Sequence, residues 1–106
     1  MSKQDLQDKL YASLASLGDT PDKIADTLRS QNIKGYVGCS GSCPISEYLI
    51  AHGFYAPEVD TSTISIVDEK SDEHVEIEVE PSDAITQFIV DFDNEDKKYA
   101  DLIKDY

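Results

Sequence analysis

Two cysteines, Cys39 and Cys43, stand four residues apart in a glycine- and serine-rich stretch, just before Pro44. Pro44 suits the first position of a helix. Cys43 is then the N-cap, where a helix terminus lowers a thiol pKa and favours the reactive thiolate. A nucleophilic mechanism also needs a base within hydrogen-bond reach. His52 lies nine residues after Cys43, which on a straight helix is about 13 Å along the axis. The other histidine, His74, would have to arrive from a separate segment. The residue types therefore favour a small, buried cysteine at a capping turn over a catalytic one. Reversible thiol oxidation and zinc are the competing uses. The Cys39/Cys43 spacing suits half a zinc site, and His74 brings the ligands to three, one short of a closed tetrahedral set. A site shared between two copies of the chain would supply the rest.

Other motifs fall short in specific ways. Gly35-x-x-Gly38-x-x-Gly41 precedes a helix but lacks the Gly-Lys-Ser/Thr ending of a phosphate loop, and only Lys34 is near enough to balance charge. Asp91-Phe92-Asp93-Asn94-Glu95-Asp96 has the acids of a calcium loop. It lacks the turn glycine, with Asp96 in its place, and the bidentate glutamate, with Leu102 in its place. No Gly-x-Ser-x-Gly elbow is present, since Gly38-Cys39-Ser40-Gly41 is too short. The expectation is a non-enzymatic protein with no catalytic residue, no cofactor and no intrinsic metal.

The strongest signal is charge. The formal net charge is −13 over 106 residues. Residues 1–57 are close to neutral, with five bases against six acids. Residues 58–106 hold four bases against sixteen acids. Within that half, Glu76, Glu78 and Glu80 alternate with Ile77 and Val79, so on a strand they share one face at spacings of about 6.8 Å. His74 shares the face, and Asp68, Glu69, Asp72 and Glu73 crowd the preceding turn. Stacked like charges cost stability. One account is solubility and protection of a sheet edge. The sharper account is a docking surface for a basic protein, one form of which is a phosphate-backbone mimic that occupies a nucleic-acid channel. Direct binding to nucleic acid or to an anionic membrane is disfavoured, because both need lysine and arginine. The expected partner is a basic protein surface, such as that of a nucleic-acid-binding protein. The residues assigned to it are Glu76, Glu78, Glu80, Asp68, Glu69, Asp72 and Glu73.

These groups must be positioned by a small number of elements. Leu6, Leu10, Leu14 and Leu17 form a helical stripe that Gly18 stops. Thr20-Pro21 starts a second helix, with Ile24, Ala25 and Leu28 inward, ending near Gln31. Residues 32–43 read as a loop with a short extended piece around Lys34–Val37. Pro44 opens a third helix with Ile45, Tyr48 and Leu49 buried, and Gly53 closes it. The period then changes to two. Ile64 and Ile66, and Val75, Ile77 and Val79, mark two strands of a long-looped hairpin, and Phe54–Val59 offers a third strand. Pro81-Ser82-Asp83 begins a fourth helix with Ile85, Phe88, Ile89 and Phe92 inward. A break at Asp93-Asn94 lets Asn94 cap a last short helix that Tyr99, Leu102 and Ile103 dock and Lys104 complements.

The fold class is thus α+β in a single domain: three N-terminal helices, a small antiparallel sheet, then one or two helices. Residues 1–57 are the helical, near-neutral part, and residues 58–106 are the acidic hairpin and C-terminal helices. No apolar run reaches bilayer length, and Met1-Ser2-Lys3-Gln4-Asp5 lacks a signal core. A cytoplasmic location with reduced cysteines is expected.

Three segments resemble parts of a family of small bacterial and phage proteins. They are Asn32-Ile33-Lys34-Gly35, Cys43-Pro44-Ile45-Ser46-Glu47-Tyr48-Leu49, and Ala84–Asp93 followed by Tyr99 and Leu102-Ile103. In that family a Cys-Pro-(apolar)-x-x-Tyr-Leu segment precedes a short hairpin and a C-terminal Phe-x-x-x-Phe-Asp helix. The resemblance implies the same architecture from about residue 20 onward and brings no activity with it. Cys39 and the glutamate ladder depart from it.

Overall fold

The computed structural model describes residues 3–36, 41–67, 76–93 and 97–103. In chain order they form α1 (Lys3–Ala15), α2 (Pro21–Ser30), α3 (Pro44–Ala51), β1 (Tyr55–Val59), β2 (Ile64–Val67), β3 (Glu76–Val79), α4 (Asp83–Asp93) and a closing 3-10 helix, Lys97–Leu102. This is the α+β order expected from the change of hydrophobic period.

Helix starts follow the caps in the sequence. The Thr20 hydroxyl accepts the Lys23 N–H at 3.2 Å ahead of Pro21. Cys43 Sγ accepts the Ser46 N–H at 3.5 Å ahead of Pro44. The Ser82 hydroxyl accepts the Ile85 N–H at 3.2 Å at the head of α4. Each satisfies one of the donors a helix leaves open, an interaction worth about 1 kcal/mol for oxygen caps. Between α1 and α2 the chain turns at Gly18, where φ is +134° and a Cβ would sit 2.7 Å from that of Lys23. Only glycine fits that turn.

The helical stripes all face one core. Leu10, Leu14, Leu17, Ile24, Leu28, Ile45, Tyr48, Leu49, Ile85, Phe88, Ile89 and Phe92 are buried, as their spacing requires. Tyr48 brings its hydroxyl with it and donates to the Ser13 carbonyl at 2.7 Å, joining α3 to α1. Phe88 packs on Phe92 and on Tyr99, with ring centroids 6.0 and 5.0 Å apart.

The C-terminal segment is held by contacts that no local pattern announces. It is a 3-10 helix kinked at Tyr99 rather than a regular α-helix. The proposed cap Asn94 and the complementing Lys104 lie outside the described residues. Tyr99 donates to Asp22 at 3.2 Å. Asp101 receives a two-pronged bond from Arg29, at 2.7 and 3.1 Å. The extended piece expected at Lys34–Val37 is realised as one parallel bridge from Gly35 to Ile103, with the Gly35 N–H donating to Leu102 O at 2.9 Å. Val37 lies outside the described residues. The backbone of residues 42–44 crosses directly over Gly35: a Cβ there would lie 2.3 Å from Pro44 N and 2.4 Å from the Cys43 carbonyl carbon.

The sheet has strand order β1-β2-β3, antiparallel throughout. Val59, Ile64 and Val79 form one cross-strand row and Ile66 and Ile77 the next, all buried. α3 packs against β1 and α1 against β3. Burial of each such side chain contributes roughly 1.5–3 kcal/mol. No described helix is long and apolar enough to cross a membrane.

Candidate functional site

The two faces of the sheet differ in charge. Inward residues of β2 and β3 are apolar, so by strict alternation the outward ones are Ser65 and Val67 on β2 and Glu76 and Glu78 on β3. Registration then sets what lies beside them. Glu58 on β1 pairs with Ser65, and Ser65 pairs with Glu78, giving one row of Glu58, Ser65 and Glu78 across all three strands. The adjacent row is Tyr55, Val67 and Glu76.

Glu58 reaches this face through a β-bulge. From Tyr55 to Glu58 is three residues, yet their partners Val67 and Ser65 are two apart. Residues three apart on a regular strand point to opposite faces. The extra residue is Ala56, whose φ of +49° is left-handed. It resets the alternation, so Tyr55 and Glu58 share the outer face and Pro57 is buried.

Asp60 lies at the turn that follows β1, where its N–H donates to Thr63 O at 3.0 Å and its carboxylate accepts the Thr61 N–H at 2.7 Å. Glu58, Asp60, Glu76 and Glu78 surround an open hollow of about 190 Å3, with Thr63 and Ser65 as its hydroxyls. The four carboxylates are exposed. Among the described residues, ion pairs join Lys23 to Asp19 and Arg29 to Asp26 and Asp101, and none includes these four acids. Lys9 is turned elsewhere, with its ammonium 5.2 Å from the Phe54 ring centroid. The face is a concentration of negative charge that no described cation offsets.

The residues assigned from sequence divide three ways. Glu76 and Glu78 lie on this face. Glu80 stands one residue past β3, where Pro81 turns the chain toward α4, and it borders a different concavity, between α1 and α4. Asp68, Glu69, Asp72, Glu73 and His74 lie outside the described residues. Glu58 and Asp60 are the residues that sequence reasoning missed. Their signal was present only as one acid inside a short expected strand and one just after it; assigning the face of Glu58 required the bulge.

The thiol candidate is placed as a cap. Cys43 is 6% exposed, with Sγ 3.4 Å from the Ser46 hydroxyl, itself fully buried. His52 stands at the opposite end of α3, bonded to the Gln31 amide at 3.0 Å and packed on Tyr48 at 4.2 Å between ring centroids. Cys39 lies outside the described residues. Among the described residues no group of three or more histidine, cysteine or acidic side chains is arranged to hold a metal ion. At the start of the acidic stretch, within the last turn of α4, Asp91 accepts the Gln87 amide at 2.8 Å one helical turn away, a surface helix contact.

Compared with protein-family models, with curated proteins and with solved structures, the chain matches none.

Proposed function

We propose that the protein is a non-enzymatic binding domain that docks on a basic protein surface through the outer face of its sheet. The observation that carries this reading is the row of Glu58, Ser65 and Glu78 with Asp60 and Glu76 beside it, uncompensated by any described cation. Like charges in such proximity lower stability, and a basic partner converts that cost into attraction and a faster encounter. A rigid sheet also presents the charges with little loss of freedom on binding.

A nucleic-acid-mimicking inhibitor is the finer form of the same reading. β3 offers a carboxylate at intervals of about 6.8 Å. Glu58 and Asp60 add a second line two strand spacings away, roughly 10 Å. Two parallel lines of negative charge are what a protein channel built for phosphates would accept.

The test is affinity capture from the native cell at about 0.01 M and about 0.3 M salt, which takes the screening length from roughly 30 Å to below 8 Å. Wild type is run beside a triple reversal, Glu58→Lys, Glu76→Lys and Glu78→Lys. A basic protein retained by wild type at low salt, released at high salt and lost by the reversed chain supports the reading. Capture equal at both salts, or unaffected by the reversal, defeats it. A captured protein that natively binds nucleic acid, and loses that binding when this chain is added, supports the mimic form.

A further inference from the structure

A second concavity lies where α1 meets the start of α4. Its volume is about 530 Å3, within the range of sites that take a ligand or an anchoring side chain. Tyr11, Leu14 and Ala15 of α1 form one wall, and Ala84 and Ile85 of α4 form the other. Tyr11 is 49% exposed, one of the few large apolar side chains left open to water. Apolar walls around a concavity of this size give an apolar side chain a seat.

Charge decides which occupant. The border of the cleft carries Asp19, Glu80 and Asp83, and no described residue lining it is basic. Asp19 is bonded to Lys23 at 3.0 Å, an exposed pair. Glu80 and Asp83 enter no ion pair among the described residues. Asp83 also lies in the first turn of α4, where the helix field favours it; Glu80 has no such role. An acidic ligand or a phosphate would be repelled here, and an uncharged ligand would leave the negative charge of the border unanswered. An apolar side chain flanked by lysine or arginine satisfies both parts.

We infer that this cleft seats an apolar anchor residue of a basic peptide segment, with Glu80 and Asp83 receiving the flanking cations. The inference rests on the basic-partner reading and adds the chemistry of the partner's anchor. Glu80, one residue past β3, borders this cleft, and Glu76 and Glu78 of β3 border the sheet hollow. One partner can therefore engage both. Interfaces of this form take most of their energy from a few buried anchors and their specificity from surrounding charge.

The test uses the full 106-residue chain, labelled for backbone amide NMR. It is titrated with the synthetic peptide Gly-Lys-Arg-Phe-Leu-Lys-Arg-Gly and with a control in which Phe-Leu is replaced by Ser-Ser. Shifts are expected at Tyr11, Ala15, Gly18 and Ala84, with binding at least about tenfold weaker for the control, the loss expected from removing one buried apolar anchor. Ala15→Trp fills the cleft from an exposed helix position and should abolish those shifts. Glu80→Lys, which leaves every buried contact in place, should weaken them at least fivefold at low salt.

No shifts at about 1 mM peptide, equal binding of the control, or binding that survives both variants overturns the inference. So does self-association that produces the same shifts without peptide, which would assign the cleft to a second copy of the chain. The reversal of Glu58, Glu76 and Glu78 separates the two readings. Peptide binding that survives that reversal but not Ala15→Trp supports the cleft and counts against the sheet face. The opposite pattern retains the sheet face and removes the cleft.

Discussion

Two charged regions of this molecule solve the same electrostatic problem in opposite ways. Around α2 each carboxylate is answered. Arg29 grips Asp101 with two bonds and Asp26 with a third, Lys23 holds Asp19, and Tyr99 donates to Asp22. On the outer face of the sheet Glu58, Asp60, Glu76 and Glu78 share one hollow, and no described cation pairs with any of them. The first region uses charge to fasten the C-terminal segment to a helix 72 residues earlier. The second holds charge in excess. Charge that is neutralised internally is spent on structure; charge left standing on a rigid face is available to a partner.

The largest effect on stability is expected at the seam that supports the first region. Gly35→Ala would drive a methyl group into the backbone of residues 42–44, at 2.3 Å from Pro44 N. It should also strain the bond from the Gly35 N–H to Leu102 O. A loss of at least about 3 kcal/mol is expected in chemical denaturation. A loss under 1 kcal/mol would mean the seam is not the fastening it is taken to be.

That seam also marks the limit of what the chain discloses in one dimension. The starts of α2, α3 and α4 were legible because Thr20-Pro21, Cys43-Pro44 and Ser82 are local devices, each completed within three residues. The strands were legible because their inward residues alternate. Gly35 looked like one of three loop glycines, since its need for a bare backbone comes from a second segment crossing it. Arg29 and Asp101 carry no pattern linking them. The outward placement of Glu76 and Glu78 was legible from their alternation with Ile77 and Val79. That of Glu58 was hidden by a single left-handed residue, Ala56, that shifts Glu58 to the same side. The α1–α4 cleft was invisible, because its walls lie some 70 residues apart in sequence.

A smaller effect is expected from Asp101→Asn. The Arg29 guanidinium, chiefly through its hydrogen bonds, holds the Asp101 carboxyl below the usual aspartate range. A carboxyl lowered in the folded state contributes stability above its unfolded value, near 3.9, that is lost as pH falls through the lower folded value. The pair is partly solvent-exposed, at 38% and 55%, so its contribution is about 0.5–1 kcal/mol. Wild type should lose that increment below about pH 4, whereas the asparagine variant should lack it at neutral pH and show a shallower acid limb. Superimposable denaturation curves against pH would remove Asp101 from the fastening. Partner binding should be unchanged, which is what separates the two regions.

The smallest effect on stability has the opposite sign. Glu78→Thr replaces a charge in the crowded row with a strand-favouring residue. It should stabilise the fold by about 0.2–0.5 kcal/mol at low salt, and the gain should shrink as salt screens the face. A loss of stability would show that Glu78 is held by an internal partner.

The central claim is that the outer sheet face accelerates encounter with a basic partner. The most direct measurement is the association rate of the captured partner, by stopped flow, for wild type and for the chain with Glu58, Glu76 and Glu78 reversed to lysine, across a range of ionic strength. The expected result for wild type is a rate that falls at least about tenfold between 0.01 M and 0.3 M salt. The reversed chain should associate at least tenfold more slowly at low salt, while thermal unfolding shows it remains folded. Association rates that are equal for the two chains, or flat with salt, would contradict the claim.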